Sequence, residues 1–154
     1  MHTHAAELRL NAARKRCTCY LLRRLTRRVT QAYDRALLPA GLTITQYSLL
    51  AHLRRQPGLS VSSLAASMGM DRTTLVRNLK PVIAARWARY GERHAGRSAS
   101  LELTPGGQAR LRTAEPYWSR AQDAVEAALG SERVARLHGL LDETLDALKV
   151  ETAA

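Results

Sequence analysis

Residues 59–81, LSVSSLAASMGMDRTTLVRNLKP, constrain the fold of this chain more than any other stretch. They read as two short helices meeting across a tight turn at Gly69. The first fits SVSSLAASM, residues 60–68. The second opens at Asp71, whose carboxylate can accept from the orphan N–H groups of a first helical turn, and Met70 before it can pack on Leu75. Ala65, four residues before the glycine, is the small side chain that two helices crossing at close range require. Leu64, Met68 and Leu75 supply the small core beneath. On the second helix Leu75, Leu79, Val82 and Ile83 fall inward, with Arg72, Thr73, Arg77, Asn78 and Lys80 on the solvent side. Pro81 lies inside this helix, where the missing i→i−4 bond predicts a kink after Lys80.

This is helix-turn-helix spacing, and short hydroxyls and an amide between guanidinium groups suit a nucleic-acid groove. Arg77 can reach guanine edges, Asn78 adenine edges, and Thr73 and Thr74 bases or phosphates. Arg72 and Ser62 are counted with them as DNA-binding candidates, and Lys80 as a phosphate contact. A helical hairpin with a solvated polar face gives the same local pattern, so the context matters. WARY at 87–90 and the alternating SASLEL at 98–103 frame the Gly-containing GERHAG, and a hairpin is expected there. Arg93, His94 and Arg97 fall near its tip. A helix-turn-helix followed by a basic hairpin is a winged helix. The fold class is therefore mainly α with a small β-hairpin wing (α+β), the wing adding Arg93 and Arg97 to the DNA-binding set.

GERHAGRS, residues 91–98, imitates a phosphate-binding P-loop. Such a loop works only between a strand and a helix whose N-terminus faces the phosphates. Here a strand pattern follows and arginine replaces the lysine, so nucleotide binding is set aside.

The flanks are helical. Residues 17–38 place Cys19, Leu22, Thr26, Val29, Tyr33 and Ala36 on one face, before LPAGLT ends the helix. A second helix, capped by Thr43, runs to QPG at 56–58. Thr104 and Pro105 open a fifth, with Leu111, Ala114, Trp118, Ala121, Val125 and Leu129 on one side and Pro116 predicting another kink. Ser131 is expected to cap a sixth, striped by Val134, Leu137, Leu141, Leu145 and Leu148.

At 154 residues the chain suits one domain, and its net charge of +11 is unevenly spread. Residues 1–40 carry nine Lys/Arg against two acids and residues 71–97 seven against two, whereas from 104 onward eight acids face six bases. Two basic segments beside an acidic one imply a polyanion-facing side. An anionic membrane would attract the same charge, but no amphipathic anchor accompanies it and no run approaches the roughly 18 apolar residues of a span. With no signal-type N-terminus, a cytoplasmic location without membrane contact is expected.

No catalytic constellation appears, the five histidines being scattered, so an enzyme is not expected and no cofactor is implied. His52 reads as a core or interface histidine. Both cysteines lie in RCTCYLLRRLTRR, residues 16–28. With His2 and His4 they could supply four metal ligands. Residues two apart on a helix, however, point about 200° apart, so Cys17 and Cys19 chelate together only if that helix frays, and no metal site is assigned.

Together, LTRRVTQAYDRALLPAGLTITQYSLLAHL, LAASMGMDRTTLVRNLKP and GRSASLELTPGGQARL resemble the multiple-antibiotic-resistance regulator (MarR) family of winged-helix transcription factors over roughly residues 17–150. The resemblance implies a single MarR-type domain over 1–154, with dimerisation helices at 17–38 and 105–150 and a winged helix-turn-helix DNA-binding portion at 43–103. It implies a homodimer built from the N- and C-terminal helices, binding a near-palindromic double-stranded DNA operator, usually as a repressor in a stress response. Release would come from a small aromatic or anionic effector, or from thiol oxidation. Two positions depart from the family. Ala95 stands where an aspartate usually braces the wing arginine, here Arg97, so that brace is missing unless Glu92 serves. Arg86 stands where the family usually has glycine after the recognition helix.

Aligned without gaps through LTITQY, the first helix is similar to that of the organic-hydroperoxide-sensing branch, making Cys19 and Tyr33 candidate redox-sensor residues. A second sensing tyrosine is replaced by Arg23. Fourteen helical residues span roughly 21 Å, so Tyr33 could reach Cys19 only from another subunit. Otherwise Cys19 is a small hydrophobe on an interface face, with Cys17 partly solvated. Two further functions stay open: a non-specific architectural DNA-binding protein, and a thiol or metal-binding sensor centred on Cys17 and Cys19.

Overall fold

The computed structural model describes residues 17–91 and 100–151. Its elements are α1 (Thr18–Leu37), a 3₁₀ turn (Leu38–Ala40), α2 (Ile44–Arg55), α3 (Val61–Ser67), α4 (Arg72–Ala84), β1 (Ala88–Tyr90), β2 (Leu101–Leu103), α5 (Pro105–Leu129) and α6 (Ser131–Glu151). The expected α+β architecture is present: six helices and a two-stranded antiparallel hairpin among the described residues.

Local chemistry accounts for the helix starts. Thr43 and Gln46 form a reciprocal capping box on α2. Ser60 caps α3, Asp71 caps α4, and Thr104 caps α5 ahead of Pro105. At α6 the boundary moves by one: Ser131 is already helical, and Gly130 supplies the carbonyl that accepts from the Val134 N–H at 3.1 Å. Cys17 likewise lies outside α1, extended, as its N-cap. α4 runs through Pro81 and α5 through Pro116 as continuous helices. Both prolines are exposed, where water can serve the carbonyl four residues earlier.

One core joins Leu37 of α1, Leu49, Leu50 and Leu53 of α2, Leu64 of α3, Leu75, Leu79 and Val82 of α4, Leu101 of β2 and Leu111 of α5. These side chains are essentially inaccessible to water. The face expected along α1 is covered only near its C-terminal end, at Tyr33 and Leu37. Cys19, Leu22 and Val29 are exposed because, within one protomer, α1 outruns what α5 can cover. On α6 Val134 is buried and Leu137 and Leu141 partly so, while Leu140, Leu145 and Leu148 are more than half exposed.

The hairpin pairs Ala88 with Leu103, Arg89 with Glu102 and Tyr90 with Leu101. Ser98 and Ala99 of SASLEL lie outside the described residues, and the described part of that segment also pairs on its other edge. The Leu101 N–H donates to the Leu59 carbonyl at 2.8 Å, and Ser60 bridges Ser100. Nothing in the alternation signalled this third segment. Arg93, His94, Ala95, Arg97 and the GERHAG turn after Gly91 lie outside the described residues, as do His2 and His4. The stretch that imitates a P-loop leads into β2 and not into a helix, so the context that phosphate binding needs is absent.

Candidate nucleic-acid interface

The turn between α3 and α4 owes its sharpness to Gly69. Its N–H donates to the Ala66 carbonyl at 3.1 Å and the Met70 N–H to the Ala65 carbonyl at 2.9 Å, with Gly69 at φ +61°. This is a Schellman closure, in which the residue after the C-cap must be left-handed. Ala65 is buried, as close helix crossing requires. α4 then starts at Asp71, whose Oδ1 accepts from the Thr74 N–H at 2.8 Å and whose Oδ2 accepts from the Thr74 hydroxyl at 2.6 Å. The Thr74 side-chain and backbone hydrogen bonds hold the Asp71 carboxyl below its ordinary value.

α4 is two-sided. Leu75, Leu79 and Val82 are sealed in the core. Arg72, Thr73, Arg77 and Lys80 lie on the opposite, water-facing side, and Ser62 is exposed on α3. Two predicted contacts are less free than the others. Thr74 is half-buried and its hydroxyl proton goes to Asp71, leaving it as an acceptor. Asn78 has its amide nitrogen 3.7 Å from Met70 Sδ. Met70, which packs against the core, therefore also steadies Asn78.

The exit from α4 aims the wing. Arg86 takes the left-handed conformation at φ +57°, its N–H donating to the Ile83 carbonyl and the Trp87 N–H to the Val82 carbonyl. This is a second Schellman closure, with arginine in the glycine place. The Thr104 hydroxyl donates to the Arg86 carbonyl at 2.6 Å, fastening the start of α5 to that turn. A Cβ on Gly107 would strike the Trp87 carbonyl, so this crossing admits only glycine. On the wing Arg89 pairs with Glu102 at 2.8 Å, on the exposed face of the hairpin. The sequence gives no sign of this pair, because the partner is thirteen residues away.

A second feature lies between α2 and α5: an open cleft of about 440 Å³. Tyr47 and Trp118 stack at 5.6 Å with an 11° interplanar angle beside it. Arg54 and Glu115 form an ion pair at 2.5 Å across the two helices, and Arg55 adds a second guanidinium. His52, expected in a core or interface, lines this cleft, with Nδ1 2.8 Å from the Ser48 carbonyl. Burial raises the Tyr47 phenol, Glu115 adding to the shift and Arg54 and Arg55 opposing it. Of this cleft the sequence foreshadowed only the inward position of Trp118 and the core or interface placement of His52.

The candidate redox residues are not brought together within the protomer. Cys17 and Cys19 are both exposed, so burial of Cys19 on an apolar face does not hold for the single chain. Tyr33 is buried, and its hydroxyl donates to Gln122 Oε1 at 2.6 Å. Gln122 in turn donates to Glu126 at 3.1 Å. Burial first, and then the Glu126 charge, raise the Tyr33 phenol. Among the described residues no three His, Cys, Asp or Glu side chains could hold a metal, and no helix is long and apolar enough to cross a membrane.

Comparison with known proteins places the chain among regulators. A family model described as MarR family matches residues 40–98. The HTH-type transcriptional repressor Rv2887 of Mycobacterium tuberculosis is 30% identical over 127 residues, covering 80% of this chain and 90% of the relative. The structure of the M. tuberculosis transcriptional regulator MosR in complex with DNA is 41% identical at a TM-score of 0.74, covering 86% of this chain and 98% of that one. The transcriptional repressor CouR bound to a 23-mer DNA duplex is 26% identical at a TM-score of 0.77, covering 85% and 94%.

Proposed function

This chain belongs to the MarR family of transcriptional regulators, and from that premise we propose that it is a dimeric repressor reading a near-palindromic operator through α4. What supports this most is the two-sidedness of α4: an apolar side sealed in the core and Arg72, Thr73, Arg77 and Lys80 held out on the other. Arg77 reads base edges, with Asn78 beside it. Lys80, Arg72 and Ser62 hold phosphate, and Arg93 and Arg97 extend the footprint through the wing. Thr73 serves either bases or phosphate, and Thr74 contributes as an acceptor.

Dimerisation uses the helices at 17–38 and 105–150, and the DNA-binding portion is 43–103. The exposed Leu22, Leu25 and Val29 of α1 and Leu140 and Leu145 of α6 are the surfaces that a second copy would cover. The cleft between α2 and α5 suits a small aromatic or anionic effector, its ring beside Trp118 and its charge toward Arg54 and Arg55. Thiol oxidation at Cys19, with Tyr33 of a second protomer, is the other route to release.

Selection from a random duplex pool tests the core of this proposal. The native chain should enrich a palindrome and prefer it over random DNA by ~10³ or more, where an architectural protein would show no such preference. Arg77→Ala and Asn78→Ala should lose that preference while remaining folded. Full preference in both variants would remove α4 as the reader. Loss of Lys80 should weaken all sequences alike and lower the salt slope by about one.

A further inference from the structure

Arg110 stands on the second turn of α5, half-buried, and touches two segments that sequence keeps far apart. Its Nη1 donates to the Ala40 carbonyl at 2.9 Å. Its guanidinium carbon lies 5.0 Å from the centroid of the Trp87 ring. Ala40 ends the 3₁₀ turn that extends α1, and a helix C-terminus presents carbonyls without intrahelical partners and favours a cation. Trp87 closes the turn at the C-terminal end of the reading helix, its N–H donating to the Val82 carbonyl at 3.0 Å. One side chain therefore ties the end of α1 to the exit of α4.

We propose that Arg110 is a positioning residue: a strut that sets the angle between α1 and α4, and through it the half-site spacing that the dimer accepts. The proposal rests on the operator-reading dimer argued above. Arginine suits the task because its plane can stack on an indole while an in-plane N–H donates to a carbonyl. Lysine, with one compact ammonium, can do one or the other. The fold itself has other ties at this junction, since Leu111 and Ala114 are sealed in the core and Thr104 holds the Arg86 carbonyl.

Geometry makes the angle consequential. Arg77, the proposed base reader on α4, lies ten residues and so about 15 Å along the helix from the Trp87 contact. A rotation of about 10° about that contact moves Arg77 by about 2.6 Å, a large part of one base-pair step. The strut thus stands between a dimer that counts base pairs and one that tolerates a slip.

The test uses the palindromic duplex that the full-length native chain selects from a random pool, together with versions carrying one base pair more or fewer at its centre. The native chain should lose ~10-fold or more on either change. Arg110→Ala should bind all three duplexes within about threefold of one another. Arg110→Lys, which keeps the charge and most of the stem, should behave like the alanine variant and keeps the test valid should alanine misfold. A native spacing profile in the lysine variant, or in folded Arg110→Ala whatever its melting temperature, would overturn the strut. Failure of the native chain to select any palindrome would overturn the operator-reading dimer, and the strut with it.

Discussion

Two Schellman closures in one chain, one with glycine and one with arginine at the left-handed position, allow a prediction of opposite signs. Arg86 holds φ +57° and Gly69 holds φ +61°. A left-handed residue bearing a Cβ costs about 1–2 kcal/mol. Replacing Arg86 by glycine removes that strain and adds about 0.5–1 kcal/mol of unfolded-chain entropy. Arg86→Gly should therefore stabilise each protomer by about 0.5–1 kcal/mol, raising Tm by about 1–4 °C for a chain of this size. Gly69→Ala should destabilise by a similar amount, from the same two terms reversed. A Cβ at Gly69 meets nothing within 4 Å, so the backbone term stands alone there. Arg86→Ala is the charge control: it keeps the strained conformation and should stay within about 0.5 kcal/mol of native. Urea unfolding at fixed protein concentration reads all three, since concentration shifts the stability of a dimer. Stabilisation by alanine equal to that by glycine would refute the backbone account and point to the arginine charge.

Further perturbations probe other parts of the chain. Deleting residues 131–154 should give aggregated or unfolded protein, because it removes the stripe from Val134 to Leu148 and lays bare the apolar surfaces that the stripe would cover; a soluble, folded monomer on sedimentation would contradict this. Asp71 is held below its ordinary value of 3.8, so its capping contribution is present above that pH and is lost as pH falls through the lowered folded value. Asp71→Asn keeps the cap but cannot titrate, and its acid-unfolding limb should be flatter than that of the native chain; identical limbs would exclude the cap as a source of acid sensitivity. Hydroperoxide should release DNA from the native protein and not from Cys19→Ser, measured by fluorescence anisotropy. Equal responses from the two would leave Cys19 as packing alone.

Much of this protein could be read along the chain because the forces involved are local. Thr43, Ser60, Asp71 and Thr104 cap their helices since a short side-chain oxygen two or three residues ahead of an orphan N–H is enough by itself. The inward row Leu75, Leu79 and Val82 follows from the 3.6-residue period, and the turn at Gly69 from what a Cβ forbids. Tertiary structure decided whatever depends on segments distant in sequence. The Tyr33 hydroxyl meets Gln122 across 89 positions, Arg110 reaches Ala40 across 70, and Arg54 finds Glu115 across 61. The alternation of SASLEL could not show that Leu59 and Ser60 would pair with its far edge, and the left-handed backbone at Arg86 is signalled only by the glycine that the family usually has there. Periodicity and capping record the conformation of each segment, whereas these contacts exist only after burial of one shared core has fixed where the segments lie.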